Sequence, residues 1–375
     1  MKTEILEIPA PWPELMTDGI CHPQLYLWDA WSYLDGDDVH LYCLAVNRKL
    51  RDGSTLAPEK RNGYQFHIRH FLSVDEGQHW RDCGALQTPG QAVDSHDARN
   101  IWSGSVLRLP SGGVLSAYTG IRESGDAMPF VQTLACAYSA DGYSVEPGAQ
   151  TLLSCPRRDS AQLREAGYYF ASEAELGSAK GEEGGPILAW RDPYCFIDTF
   201  ADFANIDAPV INAVWAAKSS RDRPAIGWGE LGARGEQYEM SKIMPPITLP
   251  DESLFSQIEC PKIIIDPVKK RYLLLVATTT RFSEEQPDSE ISKKIRLYYS
   301  ESLNTPWQMA GTERSDIAGL ENLFGMEVLK ADFERGALLC MAPYTEMAEE
   351  NKVLSFAPPF CLDISRIGIT ASLSA

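Results

Sequence analysis

Phe71-Leu-Ser-Val-Asp-Glu-Gly-Gln-His-Trp80 is the stretch that decides the fold. A short apolar strand ends in a serine, a tight turn carries an aspartate and a glycine, and a tryptophan opens the next strand. The same flavour returns at Ala137-Tyr-Ser-Ala-Asp-Gly-Tyr143 and at Tyr298-Tyr-Ser-Glu-Ser-Leu-Asn-Thr-Pro-Trp307. A β-propeller blade passes from its third strand to its fourth in this way, and the weak repeat separates a propeller from a sandwich. The first copy fits S-x-D-x-G-x-x-W. In that turn the aspartate side chain bonds backbone N–H groups and the tryptophan plugs between strands, so its expected role is structural.

Working outward, strand-length apolar or aromatic runs dominate the chain. They occupy residues 39–46, 63–72, 114–118, 271–277, 295–299 and 337–341, each flanked by Gly, Asp, Asn or Pro. Helical periodicity is scarce apart from a short segment near 159–166. The pattern predicts an all-β chain, a single five-bladed β-propeller with about 75 residues per blade. Residues 1–24 read as an N-terminal extension packing on the propeller, which spans 25–375. Two polar, Gly- and Glu-rich stretches, near 154–186 and 219–257, read as rim-loop insertions.

The bulk properties set limits on partners. The chain has 375 residues, 44% hydrophobic and 23% charged, with a net charge of −18. That charge, with no sustained basic run, argues against nucleic acid or an anionic membrane surface and leaves a neutral small molecule open. Nine cysteines without a C-x-x-C pair read as reduced, mostly buried thiols. No basic-then-apolar leader opens the sequence and no apolar run is long enough to span a bilayer, so a cytoplasmic location is the expectation.

Three carboxylates stand in unusual settings. Asp29 lies between two tryptophans in Leu25-Tyr-Leu-Trp-Asp-Ala-Trp31. Asp192 follows an apolar run in Ile187-Leu-Ala-Trp-Arg-Asp-Pro193. Glu259 opens an apolar strand in Gln257-Ile-Glu-Cys-Pro-Lys-Ile263. An ionisable residue at the head of a buried strand costs several kcal/mol unless it is paired or faces a polar cavity. The first strand of each propeller blade lines the central channel, so three such residues from three blades would meet at its mouth. That equips a retaining glycosidase: one carboxylate attacks the anomeric carbon, and a second gives a proton to the leaving oxygen and then recovers one. Arg191 is expected to keep Asp192 ionised, and an apolar setting to raise the pKa of Glu259. The competing reading makes each residue an isolated strand-end turn former.

Other signals carry less. Gly227-Trp-Gly-Glu-Leu-Gly232 matches G-x-G-x-x-G but lacks a surrounding βαβ unit, and reads as a flexible rim loop. His67 and His70, three apart on a strand, face opposite sides and cannot share a metal. Ser103 and Ser105 lack the elbow of a serine hydrolase. The acidic residues 283–290 read as a solvated loop.

Five motifs in order carry a resemblance: Trp28-Asp-Ala-Trp31, Trp102-Ser-Gly-Ser105, Trp190-Arg-Asp-Pro193, Ile258-Glu-Cys-Pro261 and Ser355-Phe-Ala-Pro-Pro-Phe-Cys-Leu-Asp-Ile364. From about Leu25 to Ile364 the chain resembles glycoside hydrolase family 68, the levansucrases and inulosucrases, which share a five-bladed propeller with the invertase-type families. The resemblance implies a retaining β-fructosyl hydrolase or transferase acting on sucrose or fructo-oligosaccharides. It makes Asp29 the nucleophile, Glu259 the acid/base and Asp192 the stabiliser of the transition state. Trp28, Trp102, Ser103 and Arg191 would line the fructosyl pocket; Arg281 would correspond to the family's acceptor-side arginine and Tyr344 to its late tyrosine, and Gln257 stands where a glutamate helps hold the glucosyl half of sucrose.

The chain departs from that family at Gln257, where a glutamate usually stands, and at Cys260, where an arginine does. Glu-Cys-Pro is closer to the invertase-type relatives, and Gln257 leaves the identity of the leaving group open. No cofactor is implied, and no ligand set can be placed for the structural calcium of secreted members. The implied partner is a small carbohydrate, with the oligomeric state open. A glycosidase of another furanoside and an inactive sugar-binding propeller remain the alternatives.

Overall fold

A computed structural model describes residues 3–90, 92, 94–122, 131–146, 148–170, 188–200, 210–234, 237–282, 286–311 and 314–367. Five antiparallel sheets follow one another along the chain. The first holds β1 (Met16–Thr17), β2 (Leu25–Asp35), β3 (Asp38–Asn47), β4 (His67–Ser73) and β5 (His79–Gln87). The second holds β6 (Asn100–Arg108), β7 (Val114–Arg122), β8 (Val131–Ser139) and β9 (Gln150–Ser154), followed by the helix α1 (Pro156–Glu165). The third holds β10 (Arg191–Ile197), β11 (Ile211–Ser220), β12 (Arg223–Arg234) and β13 (Gln237–Ile247). The fourth holds β14 (Gln257–Asp266), β15 (Arg271–Thr279), β16 (Lys293–Ser300) and β17 (Gln308–Met309), and the fifth β18 (Glu327–Asp332), β19 (Ala337–Met341) and β20 (Phe360–Asp363).

Within each sheet the strands lie in chain order, except that β1 adds to the outer edge of the first blade beside β5. The inner strands β2, β6, β10 and β14 stand next to one another in turn, and β18 returns to β2. This is the five-bladed propeller, closed without a free inner edge. Residues near both ends of the chain contribute to closure, through the bridge between Ile20 and Phe356 and the bond from the Leu27 N–H to the Leu354 carbonyl (2.8 Å).

The core explains why the strands read as nearly continuous apolar runs. Among the described residues it falls into five clusters, one between each pair of neighbouring blades. Successive side chains of a strand face opposite sides, so each middle strand feeds two clusters. On β3, Val39, Leu41 and Cys43 face the fifth blade while Tyr42, Leu44 and Val46 face the second. On β15, Leu273 and Leu275 pack toward the fifth blade, and Tyr272, Leu274 and Val276 toward the third. Both faces of the inner and middle strands are buried, so polar alternation survives only on outer strands such as β5 and β13.

The deciding turn behaves as expected. The Asp75 carboxylate accepts the His79 N–H (2.9 Å), the Gly77 N–H donates to Ser73 Oγ (2.8 Å), and Trp80 is fully buried. Asp141 and Ser139 repeat these bonds to the Tyr143 and Gly142 N–H groups between β8 and β9. Trp307 plugs the corresponding place before β17.

Two readings need correction. Residues 219–257 are not a rim insertion: most of them form β12 and β13, the outer half of the third blade. Gly227-Trp-Gly-Glu-Leu-Gly232 accordingly lies within β12, not in a flexible loop. Its glycines admit close neighbours, since a Cβ on Gly227 would meet the Trp215 indole nitrogen at 2.1 Å. Part of the other stretch, residues 171–186, lies outside the described residues, as do 283–285 of the acidic loop. The described remainder is partly core, for Leu163, Tyr168 and Phe170 fill the layer between the second and third blades. Among the described residues no helix is long and apolar enough to cross a membrane.

Candidate active site

All five inner strands carry a bulge, and the chemistry-bearing residues sit at four of them. In β2, Trp28 pairs with Leu44 and Ala30 with Cys43, so Asp29 is the extra residue. In β6 the extra residue is Ser103, between Trp102 and Gly104. In β10 the register breaks between Arg191 and Tyr194, and in β14 between Glu259 and Lys262. Asp29, Asp192 and Cys260 take φ values of 46°, 60° and 47°. An L-residue with a side chain pays about 1–2 kcal/mol for such a backbone. A bulge re-aims a side chain that regular pleating would direct between blades. Here it turns carboxylates from the interblade core into the central mouth.

A cavity of about 480 Å³ opens there, lined by all ten candidate catalytic and substrate-binding residues: Trp28, Asp29, Trp102, Ser103, Arg191, Asp192, Gln257, Glu259, Arg281 and Tyr344. Asp29 Oδ2 accepts a short hydrogen bond from Ser103 Oγ. Thr119, on β7, then joins two blades to this pair: its Oγ1 donates to the Ser103 carbonyl (2.9 Å) and accepts from the Asp192 N–H (2.8 Å).

Arg191 sits among the acids. Its guanidinium lies 3.7 Å from Asp192 Oδ2 and 3.6 Å from Glu259 Oε1, and it donates to Gln257 Oε1. Gln257 passes the connection on, donating from Nε2 to the Arg281 carbonyl (2.9 Å).

The electrostatics correct one expectation. Arg191 does not hold Asp192 in the ordinary carboxylate range. Burial pushes this carboxyl up to about 7, Arg191 opposes the shift, and the charges of Asp29 and Glu259 add to it. The guanidinium is shared among three neighbours, so it cannot offset the desolvation of one. Glu259 is raised as expected, first by burial, with Arg191 opposing and Asp29 reinforcing. The mouth therefore holds two carboxyls raised above their ordinary range, Asp192 and Glu259, beside Asp29. That combination supports proton donation and nucleophilic attack on one substrate.

Several lining residues escaped the sequence reading: Arg61, Phe66, Lys293, Phe324 and Glu346. Lys293 Nζ lies 2.7 Å from Glu346 Oε1, and Arg61 stands over the Trp28 ring at 5.4 Å. None belongs to a motif, although Glu346 is only two residues from Tyr344. His67 and His70 are buried in separate surroundings, His70 Nε2 lying 3.0 Å from His40 Nδ1. Among the described residues no group of His, Cys, Asp or Glu is arranged to hold a metal ion.

Fold and pocket define a class: five-bladed β-propellers with three carboxylates and an arginine at the central mouth. No protein-family model and no curated protein matches the sequence. Solved structures do match it. An inulosucrase from Halalkalicoccus jeotgali bound to kestose aligns over 96% of this chain and 89% of its own, at 17% identity and a TM-score of 0.64. Bacillus subtilis levansucrase aligns over 93% and 86%, at 17% identity and 0.61. A levansucrase complexed with sucrose covers 91% and 84%, at 15% identity and 0.58. The chain has the fold of these fructosyltransferases across nearly its whole length.

Proposed function

We propose that this chain is a member of the levansucrase and inulosucrase family, a retaining β-fructosyl hydrolase or transferase acting on sucrose or a fructo-oligosaccharide. The carrying observation is the arrival of Asp29, Asp192 and Glu259, from three blades, in one cavity around one guanidinium. Asp29, oriented by Ser103, attacks the anomeric carbon and forms the fructosyl-enzyme. Glu259, whose carboxyl burial raises above its ordinary range, gives its proton to the leaving oxygen and takes one from the acceptor. Asp192 holds fructosyl hydroxyls as positive charge develops on the ring. Trp28, Trp102, Ser103 and Arg191 shape the fructosyl subsite; Gln257, Arg281 and Tyr344 face the departing half.

Hydrolysis and transfer share the fructosyl-enzyme and differ only in the acceptor that reaches it. Incubation with sucrose, measuring free glucose and free fructose separately, tests the reading. Equal release means hydrolysis and excess glucose means transfer. Release of neither from sucrose or kestose overturns it.

A further inference from the structure

Beyond Asp29, Asp192 and Glu259, two further carboxylates line the pocket, Glu59 and Glu346, and Glu346 is the one held by two cations. Glu346 Oε1 receives Lys293 Nζ at 2.7 Å and faces Arg61 Nη2 at 3.9 Å. Both cations gather on that one oxygen, and no other described residue donates to Oε2. The cations are themselves braced by the pocket walls: Arg61 stands over the Trp28 ring, and Lys293 lies 5.6 Å from the centre of the Phe324 ring. Burial would raise the Glu346 carboxyl, but Arg61 and Lys293 prevail and hold it down at about 2. Glu346 is therefore a fixed negative charge, and it lines the same cavity as Glu259.

Gln257, also near the acid/base, offers no charged acceptor. It is neutral and buried, its Oε1 accepts from Arg191 and its Nε2 donates to the Arg281 carbonyl. Sugar hydroxyls are donors in search of acceptors, and an ionised carboxylate is the strongest acceptor a protein offers.

Resting on the reading of the site as a fructosyl-transfer centre, we propose that Glu346 recognises the departing half of the substrate. Its Oε2 accepts hydroxyl hydrogens from a neutral, polyhydroxylated leaving group, and Lys293 and Arg61 position it.

The test compares kcat/KM for sucrose with that for para-nitrophenyl β-fructofuranoside, whose leaving group has no hydroxyl to donate. In Glu346→Gln the ratio of sucrose to aryl substrate should fall by about tenfold to a hundredfold, the loss of one charge-assisted hydrogen bond, mainly through KM for sucrose. Lys293→Met, which keeps the carboxylate but loosens it, should move the ratio the same way by less. If Glu346→Gln does not fold, Glu346→Asp, which retracts the carboxylate, serves instead. A ratio that holds, whether both activities fall together or neither falls, overturns the proposal. Wild-type protein that releases neither glucose from sucrose nor nitrophenol from the aryl fructoside fails the fructosyl reading itself, a separate and recognisable result.

Discussion

The backbone N–H of Cys260 donates to Asp192 Oδ2 at 3.0 Å, so the residue after Glu259 on the fourth blade holds the carboxylate of the third. Both residues have left-handed backbone angles within bulges of their inner strands. The two irregularities therefore satisfy each other: one presents a free N–H and the other a carboxylate that needs a donor. At the mouth, the strained backbone of these bulges aims polar groups.

On the proposed mechanism, Asp29→Asn and Glu259→Gln are expected to reduce turnover of sucrose by about a thousandfold or more, because each would remove a group that forms or breaks a bond in the transition state. Circular dichroism should remain that of the wild type, since both side chains face the cavity. Near-normal turnover in either variant would remove the mechanism.

Asp192→Asn should lose most activity and gain stability as the pH rises. A carboxyl whose folded pKa is raised binds its proton more tightly in the folded state than in the unfolded chain. Between its ordinary value of 3.8 and about 7, the unfolded chain ionises first and stability drains away. Asparagine does not titrate. The difference in melting temperature between variant and wild type should therefore grow in favour of the variant from pH 4 to pH 7, then level off. A constant difference across that range would mean that Asp192 ionises in the folded protein at its ordinary pKa.

What the sequence disclosed and what it concealed follow from range. Strand-length apolar runs, the Ser-Asp-Gly turn and the tryptophan after it are local features whose physics does not depend on distant partners, so the propeller was legible. Asp29, Asp192 and Glu259 stood out because ionisable residues are rare beside apolar strands. Arg61, Lys293 and Glu346 meet only in the folded chain and sit in polar surroundings, where charge draws no notice. The strand β13 reads like a loop because the outermost strand of a blade has one exposed side. Gln237–Ile247 alternates exposed and half-buried residues and includes two prolines, a composition shared with loops. The state of Asp192 was misjudged because Arg191 is adjacent in sequence while its guanidinium reaches toward Gln257 and Glu259.

Lys293→Met is expected to shift the alkaline limb of kcat/KM to higher pH. Glu259 must be protonated to act as an acid, so activity falls as pH climbs through its pKa. Burial raises that pKa most, and Lys293 is among the charges that lower it. Removing the ammonium leaves Glu259 protonated to a higher pH. The profile should be recorded with sucrose well below KM, where it reports the free enzyme. Movement of the limb to lower pH would assign it to another group.

Gly325→Ala tests the wall behind the nucleophile. Gly325 has φ +60°, and a Cβ built on it would lie 2.8 Å from Asp29 Oδ1 and 3.5 Å from its Cα. Lys262 pins this segment from inside the channel, its Nζ donating to the Met326 carbonyl at 2.6 Å and pairing with Glu327 at 3.0 Å. The backbone therefore cannot retreat, and the Asp29 carboxylate must move away from its bond to Ser103. A displaced nucleophile loses its line of attack, so kcat should fall by about tenfold to a hundredfold while KM changes less. Stability should also fall, by about 1–2 kcal/mol for a side chain in the left-handed region. Gly319→Ala separates the two effects, because Gly319 has φ +80° with nothing within 4 Å of its Cβ position. That variant should melt lower and keep its kcat. If both alanines reduce kcat alike, the contact with Asp29 is not what the glycine protects.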